Sequence, residues 1–311
     1  MFLYFGPVLT RHLRRDLYSH RRRDISGATH TLLTPETSFS IHCLNPAQAA
    51  AVRQVFSPLY NTHGELKFPR QQPGSENPAI VSSLYGEDLF AVSEVSSLVF
   101  FEFVSNCALG HQDWFHFGVF NPTFNLNTLN LQDYQIAADL NLFNIATFDG
   151  DFSSLQSRGG KVITYHGQAD MPISPADTEF YYQHFSSTMG LPPSELDGFL
   201  RFFQIGGMSH CATGPGAWEI GQTIAGASGN LTAETLDPDR NVLTAVVRWV
   251  EEGIAPDTIL GTKYVNDTTF GVEFSRRHCH YPTRNIYDRK GDSNLPGSWS
   301  CKEVGRIFIR L

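Results

Sequence analysis

"KVITYHGQADMPISP", residues 161–175, decides how this chain is read. The first six residues are rich in β-formers and read as a buried strand. Gly167 and the Met171-Pro172 step then mark a loop that carries a single carboxylate, Asp170. Ser174 can cap a helix, Pro175 suits its first turn because its missing N–H is not needed there, and Asp177 follows three residues after the cap. Thr178, Tyr181, Tyr182, Phe185 and Met189 recur at helical spacing as the apolar face of that helix. The stretch therefore predicts strand, loop and helix in succession.

The same rhythm repeats downstream. "FLRFFQI" (199–205) reads as a second strand, and Gly206-Gly207 opens a loop carrying His210 in "GGMSHC". A further helix is expected with Asp237 as its cap, then Pro238, an apolar face of Leu243, Val246, Val247 and Val250, and Gly253 as its stop. Strands alternating with helices predict an α/β domain with a mainly parallel sheet, whose functional side chains sit on loops at the carboxyl ends of the strands. Asp170 and His210 both occupy such loops.

An imidazole acts as a general base when its tautomer and orientation are fixed, and a carboxylate on its other nitrogen does this. In α/β-hydrolases the chain order is Ser, then Asp, then His. Here Asp170 precedes His210 by 40 residues, with a strand–helix–strand passage between them. The plain alternative is an Asp in one turn and a His in another, each satisfied by local backbone.

At 311 residues, 41% hydrophobic and 17% charged, the chain can bury a sizeable core, and no apolar run is long enough to span a bilayer. Residues 1–30 carry six Arg and two Asp, a charge of +4, so the rest of the chain carries −12 of the total −8. So acidic a body argues against a nucleic-acid coat. The head "MFLYFGPVLTRHLRRD" does not have the form of a secretory signal, because Gly6-Pro7 breaks its apolar stretch and the basic residues follow it. Two sequons, at Asn230 and Asn266, lean towards an extracellular origin.

Residues 31–150 are aromatic-rich and irregular, with one clear helix expected in "NPAQAAAVRQVFSPLY" (45–60). Asn45 is its cap, and Ala49, Val52, Phe56 and Leu59 are its apolar positions. "FPRQQPGSENP" (68–78) reads as a Pro/Gly loop.

Several of these motifs together resemble the tannase/feruloyl esterase family. "RGGKVITYHGQADMPISP", "GGMSHCATGPGAWE", "VVRWVEEGIAPD" and "RRHCHYPTRNIYDRKGD" followed by a Cys are similar to the family's C-terminal half, in order. "CLNPAQAAAVRQVFSPLY" and "QQPGSE" resemble its inserted lid domain. The resemblance runs from about residue 32 to 311. It implies a secreted serine esterase of α/β-hydrolase fold that cleaves small phenolic esters such as those of ferulate or gallate. It implies no membrane or nucleic-acid partner and says nothing of oligomeric state.

By that resemblance residues 32–148 correspond to part of the lid domain, and residues 149–311 to the C-terminal part of the catalytic domain. Residues 1–31 are a basic head that matches nothing in the family. Asp170 matches the triad acid and His210 the triad base. Cys211 matches a cysteine bonded in the family to the one just before the nucleophilic Ser, and Cys279 and Cys301 match a C-terminal disulfide pair. Taken alone, Cys211 reads as a buried structural thiol. The partners of Cys43 and Cys107 are open.

Two departures follow. None of the five Cys is followed by Ser, and no Gly-x-Ser-x-Gly elbow occurs; "GASGN" (226–230) comes nearest and lies after His210. No cofactor is expected either, since the family's Asp/Gly-rich calcium loop has no counterpart ahead of "CLNPAQ". Without a serine, turnover falls by on the order of a million-fold, so the expected chain is an incomplete, inactive hydrolase. The rival is a remnant that binds phenolic ligands on its aromatic residues (Phe100, Phe101, Phe103, Trp114, Phe115, Phe117). A third reading takes His278, Cys279 and His280 as metal ligands, but no second cluster at ligand spacing lies near them.

Overall fold

The computed structural model describes residues 44–61, 63–75, 114–125, 128–144, 146–171, 173–222, 233, 235–267 and 271–303. The basic head, Cys43, Cys107, Phe100, Phe101, Phe103, Asn230, Thr268 and "GASGN" lie outside the described residues.

Helix α1 (Pro46–Val55) carries the expected Asn45 cap, with Gln48 completing a reciprocal capping box. It stops five residues earlier than its pattern predicts. Phe56 closes it, and Leu59 belongs to strand β1 (Leu59–Tyr60), which pairs antiparallel with β2 (Leu66–Phe68). Pro58 accounts for the early stop, since it disfavours helical geometry in the residue before it. Helix α2 (Leu131–Leu140) follows, and Phe115 packs against its Tyr134 and Ala137 in a small separate cluster. Of the aromatic residues that the remnant reading would use as a platform and that read otherwise as core, Phe115 is core, whereas Phe117 is 70% exposed.

After the short helix α3 (Ser153–Ser157) comes the part that positions the site. Strand β3 (Val162–Gly167) and strand β4 (Leu200–Ile205) pair in parallel, from Val162 against Leu200 to Gly167 against Ile205. Helix α4 (Pro175–Met189), capped by Ser174, connects them with the short α5 (Pro193–Leu196). Strand β4 explains its own sequence. Side chains alternate across a strand, so Leu200 and Phe202 enter one core cluster with Tyr182 and Phe185, while Phe203 and Ile205 enter another with Met208 and Trp218. The strand is covered on both faces, and its two polar side chains, Arg201 and Gln204, are only half-buried.

The remaining strands correct the expectation of a mainly parallel sheet: among the described residues, β3–β4 is the single parallel pair. Strand β5 (Thr258–Tyr264) pairs antiparallel with β6 (Val272–Cys279), and β7 (Thr283–Tyr287) with β8 (Trp299–Glu303). The chain returns to β4 through a bridge between Phe203 and His280. A disulfide joins Cys279 at the end of β6 to Cys301 in β8.

Helix α6 (Val242–Glu252) also differs from its reading. Its cap is Asn241, whose Oδ1 accepts from the N–H groups of Leu243 and Thr244, and Asp237 instead closes the preceding turn. Ala245 and Trp249 are the buried residues, while Leu243, Val247 and Val250 are exposed. Trp249 takes the inner position because its ring receives Lys161 and Arg201 across its face. No described helix is long and apolar enough to cross a membrane.

Candidate active site

Two loops leave the carboxyl ends of the parallel pair and meet. After β3 the chain turns through an Asp170 N–H to Gly167 carbonyl bond of 3.1 Å. After β4 it turns at Gly207, whose φ of 72° is open to glycine at no steric cost. The Ala169 N–H then donates to the Met208 carbonyl at 2.9 Å, a main-chain link between the loops. Their closeness depends on Gly167: a Cβ there would stand 2.3 Å from the Met208 oxygen and 2.4 Å from that of Ser209.

This approach brings Asp170 and His210 together. His210 Nδ1 donates to Asp170 Oδ2 at 3.0 Å. That contact fixes the ring's tautomer and leaves its Nε2 free for chemistry. Asp170 is 2% exposed, whereas the His210 side chain is 39% exposed, an arrangement of buried acid and accessible base.

Asp170 is held by more than His210. Its Oδ1 accepts from the Ile173 N–H at 3.0 Å, and its Oδ2 also accepts from His166 Nε2 at 3.2 Å. Burial pushes the Asp170 carboxyl up, but the hydrogen bonds from His166, His210 and Ile173 outweigh it and hold the group below its ordinary value. The hydrogen bond to Asp170 raises the pKa of His210 against the opposing effect of burial. For Cys211, burial and then the Asp170 charge push the thiol up.

Sequence reasoning missed His166, which looked like the last residue of a strand. Its Nε2 serves Asp170, and in the neutral ring its Nδ1 accepts from the Thr178 hydroxyl at 2.6 Å. The signal was present as a His four residues before an Asp across a strand end. Two contacts from the region likened to a lid were not legible at all. Gln71 Nε2 donates to the Met171 carbonyl at 2.7 Å, and the Ser174 hydroxyl donates to the Arg70 carbonyl. Both clamp the acid's loop from about a hundred residues away.

The other singled-out residues sit elsewhere. Cys211, next to His210, is a free, exposed thiol. His278 donates from Nε2 to the Ala217 carbonyl at 2.7 Å, and burial drives its pKa down to about 4. His280 faces Asp197 at 3.3 Å and the Asp257 carbonyl at 3.0 Å. With Cys279 in its disulfide, the three residues of "HCH" serve three different partners. No group of three or more His, Cys, Asp or Glu among the described residues could hold a metal ion.

A buried carboxylate steadying an accessible imidazole, on loops after adjacent parallel strands, is an arrangement that can do acid–base chemistry. The profile "Tannase and feruloyl esterase" matches residues 25–302. The chain is 42% identical over 272 residues to "Probable feruloyl esterase B-2" of Aspergillus terreus, covering 87% of this chain and 47% of that protein. It is 43% identical over 260 residues to "Feruloyl esterase C" of Talaromyces stipitatus, covering 83% and 44%. Among solved structures, an esterase from Aspergillus oryzae superposes with a TM-score of 0.69 at 39% identity, over 87% of this chain and 49% of that one. Feruloyl esterase B from Aspergillus oryzae gives 0.67 at 41%, over 84% and 46%. These neighbours have the α/β-hydrolase fold. The chain belongs to the tannase and feruloyl esterase family, whose members are carboxylic ester hydrolases. It spans about half the length of the relatives it matches.

Proposed function

We propose that this chain carries the acid and base of a serine esterase acting on small phenolic esters, with Asp170 and His210 in those roles. The observation that carries the reading is the 3.0 Å contact between His210 Nδ1 and Asp170 Oδ2. In the proposed reaction His210 Nε2 removes the proton of a serine hydroxyl as its oxygen attacks the ester carbonyl. The imidazolium then gives that proton to the departing alcohol, leaving an acyl-enzyme. Water repeats the sequence and frees the acid. Asp170 stays ionised throughout, orients the ring and stabilises the imidazolium.

Residues 149–311 belong in this reading to the catalytic domain, and residues 32–148 to a lid whose Arg70–Gln71 segment braces the acid's loop. Secretion is part of the same proposal, and the chemistry needs no cofactor. The serine at a nucleophile elbow is not among these 311 residues, so the chain alone is expected not to turn over.

The test joins the unmatched half of the Aspergillus oryzae feruloyl esterase to residues 44–303 and assays methyl ferulate. The expected result is hydrolysis by the chimera that Asp170→Asn and His210→Ala abolish, with none from the chain alone. A chimera equally active with His210→Ala overturns the proposal. A folded chimera that binds the ester without cleaving it supports the ligand-binding remnant instead.

A further inference from the structure

A cavity of about 440 Å³ opens beside the base of the His210 loop, within the range that holds small ligands. Neither Asp170, His166 nor His210 lines it. Its wall draws on Gly207 and Gly216 at the two ends of the loop, on Gln168, on Arg276 of β6, and on Arg284 and Asn285 of β7.

The charge of that wall is one-sided. It presents two guanidinium groups and, among the described residues, no carboxylate. Arg276 lies over the Trp299 ring, 3.7 Å from its centroid, and its Nη2 donates to the Ser293 carbonyl at 2.7 Å. Its Nε is buried without a partner, and burial lowers its pKa with no acid nearby to offset the effect. Arg284 is half exposed, and its carboxylate neighbour, Glu179 Oε2, stands 4.0 Å away. Glu179 is already engaged by the Tyr281 hydroxyl at 3.1 Å and by Gln204 Nε2 at 3.4 Å. His278, also on the wall, is neutral at pH 7 because burial holds its pKa near 4.

A cleft of one charge sign concentrates the opposite ion. The half-exposed Arg284 guanidinium can pair with a planar carboxylate, and Arg276 adds charge behind it. Phe274, Pro215 and the Trp299 ring give the cavity an apolar side as well, which suits an organic body more than an inorganic ion.

We propose that this cavity binds a small organic carboxylate, with Arg276 and Arg284 as its countercharges, at a site separate from the Asp170–His210 pair. The inference does not depend on the ester-hydrolase reading. The test titrates the whole chain with benzoate while following the Trp299 indole N–H by NMR, with methyl benzoate and inorganic phosphate in parallel.

The expected result is a saturable Trp299 shift with benzoate and none with the neutral ester. Loss of one charged contact should weaken binding about tenfold in Arg276→Gln and in Arg284→Gln. Arg284 is the safer variant for folding because it is half exposed. Arg277→Gln, an exposed neighbour on the same strand, should bind as the parent does. A benzoate shift that never saturates overturns the proposal, as does phosphate binding as tightly as benzoate. Equal weakening in Arg277→Gln would reduce the effect to general surface charge and overturn it too.

Discussion

Asp170→Asn keeps the shape of the buried acid and removes its charge, so its effect on His210 isolates the interaction on which the site rests. In the parent, His210 Nδ1 donates to a carboxylate oxygen 3.0 Å away, a charge-assisted bond. Such bonds contribute about 1.5–3 kcal/mol when shielded. The His210 side chain is 39% exposed, so solvent screening roughly halves that figure. About 0.8–1.5 kcal/mol remains. The amide oxygen of Asn can still accept from Nδ1 but offers no charge to an imidazolium. The expected outcome is a fall in the His210 pKa, read from its ring Cε1–H shift across pH 5–9, with the loss of that interaction energy. His280, whose pKa is raised chiefly by its hydrogen bond with Asp197, serves as an internal reference that should not move. A His210 pKa unchanged by the substitution, in a protein with parental circular dichroism, would refute the argument. The sign carries over to stability. The folded pKa of His210 is raised, so its contribution is complete below the unfolded value and fades as pH rises through the folded one. That of Asp170 is depressed, so its contribution is complete above the unfolded value and is lost as pH falls through the folded one.

Gly167→Ala should part the two loops, because its methyl would press on the Met208 and Ser209 carbonyls; the expected NMR signature is a His210 pKa shifted down towards that of Asp170→Asn. Reducing the Cys279–Cys301 disulfide frees a segment 22 residues long and should cost about 3 kcal/mol, seen as a lowered Tm with reductant present. Asp177 behaves in the opposite sense to Asp170. Burial pushes its carboxyl up to about 6, so stability falls as pH rises from its unfolded value to about 6, and the loss is complete above that. Asp177→Asn should therefore gain stability at pH 8 relative to pH 5. Urea unfolding at the two pH values measures this. Phe202→Ala should cost about 3–5 kcal/mol in the same assay, since that ring is wholly buried in one core cluster.

What could be read in the sequence were features whose cause is local. Strand β3, the Ser174 cap and the two loops announce themselves through β-rich runs, Gly and Pro, and all depend on residues within a few positions of each other. The pairing of Asp170 with His210 followed from chain order and from resemblance, since nothing in 40 intervening residues specifies a 3.0 Å contact. The misreadings share one cause. Asp237, Pro238 and the spacing of Leu243, Val247 and Val250 make a good local case for a helix start and an inner face. Yet the turn that Asp237 closes delays the start to Asn241, and Trp249, with Arg201 and Lys161 over its ring, takes the buried side. Tertiary contact overrode periodicity. The antiparallel β5–β6 and β7–β8 pairs were lost in the same way, because pairing direction is set by partners that a strand's own residues do not name.

His166 shows the same limit at the site itself. As the sixth residue of a strand-like run it looks structural, and its role appears once β3 turns back to bring Asp170 within 3.2 Å of its Nε2. The acid is then shared between two imidazoles on one oxygen, His166 in the interior and His210 towards solvent. Two donors on one carboxylate oxygen compete for its charge, so His166 tempers how strongly Asp170 can raise the pKa of His210. In the proposed role of His210 as a general base, which works best with a pKa near the operating pH, a second donor on Asp170 would keep the pair nearer that range than an undivided carboxylate would. The local chemistry of the loops places the acid; the strand that precedes it sets how hard the acid pulls.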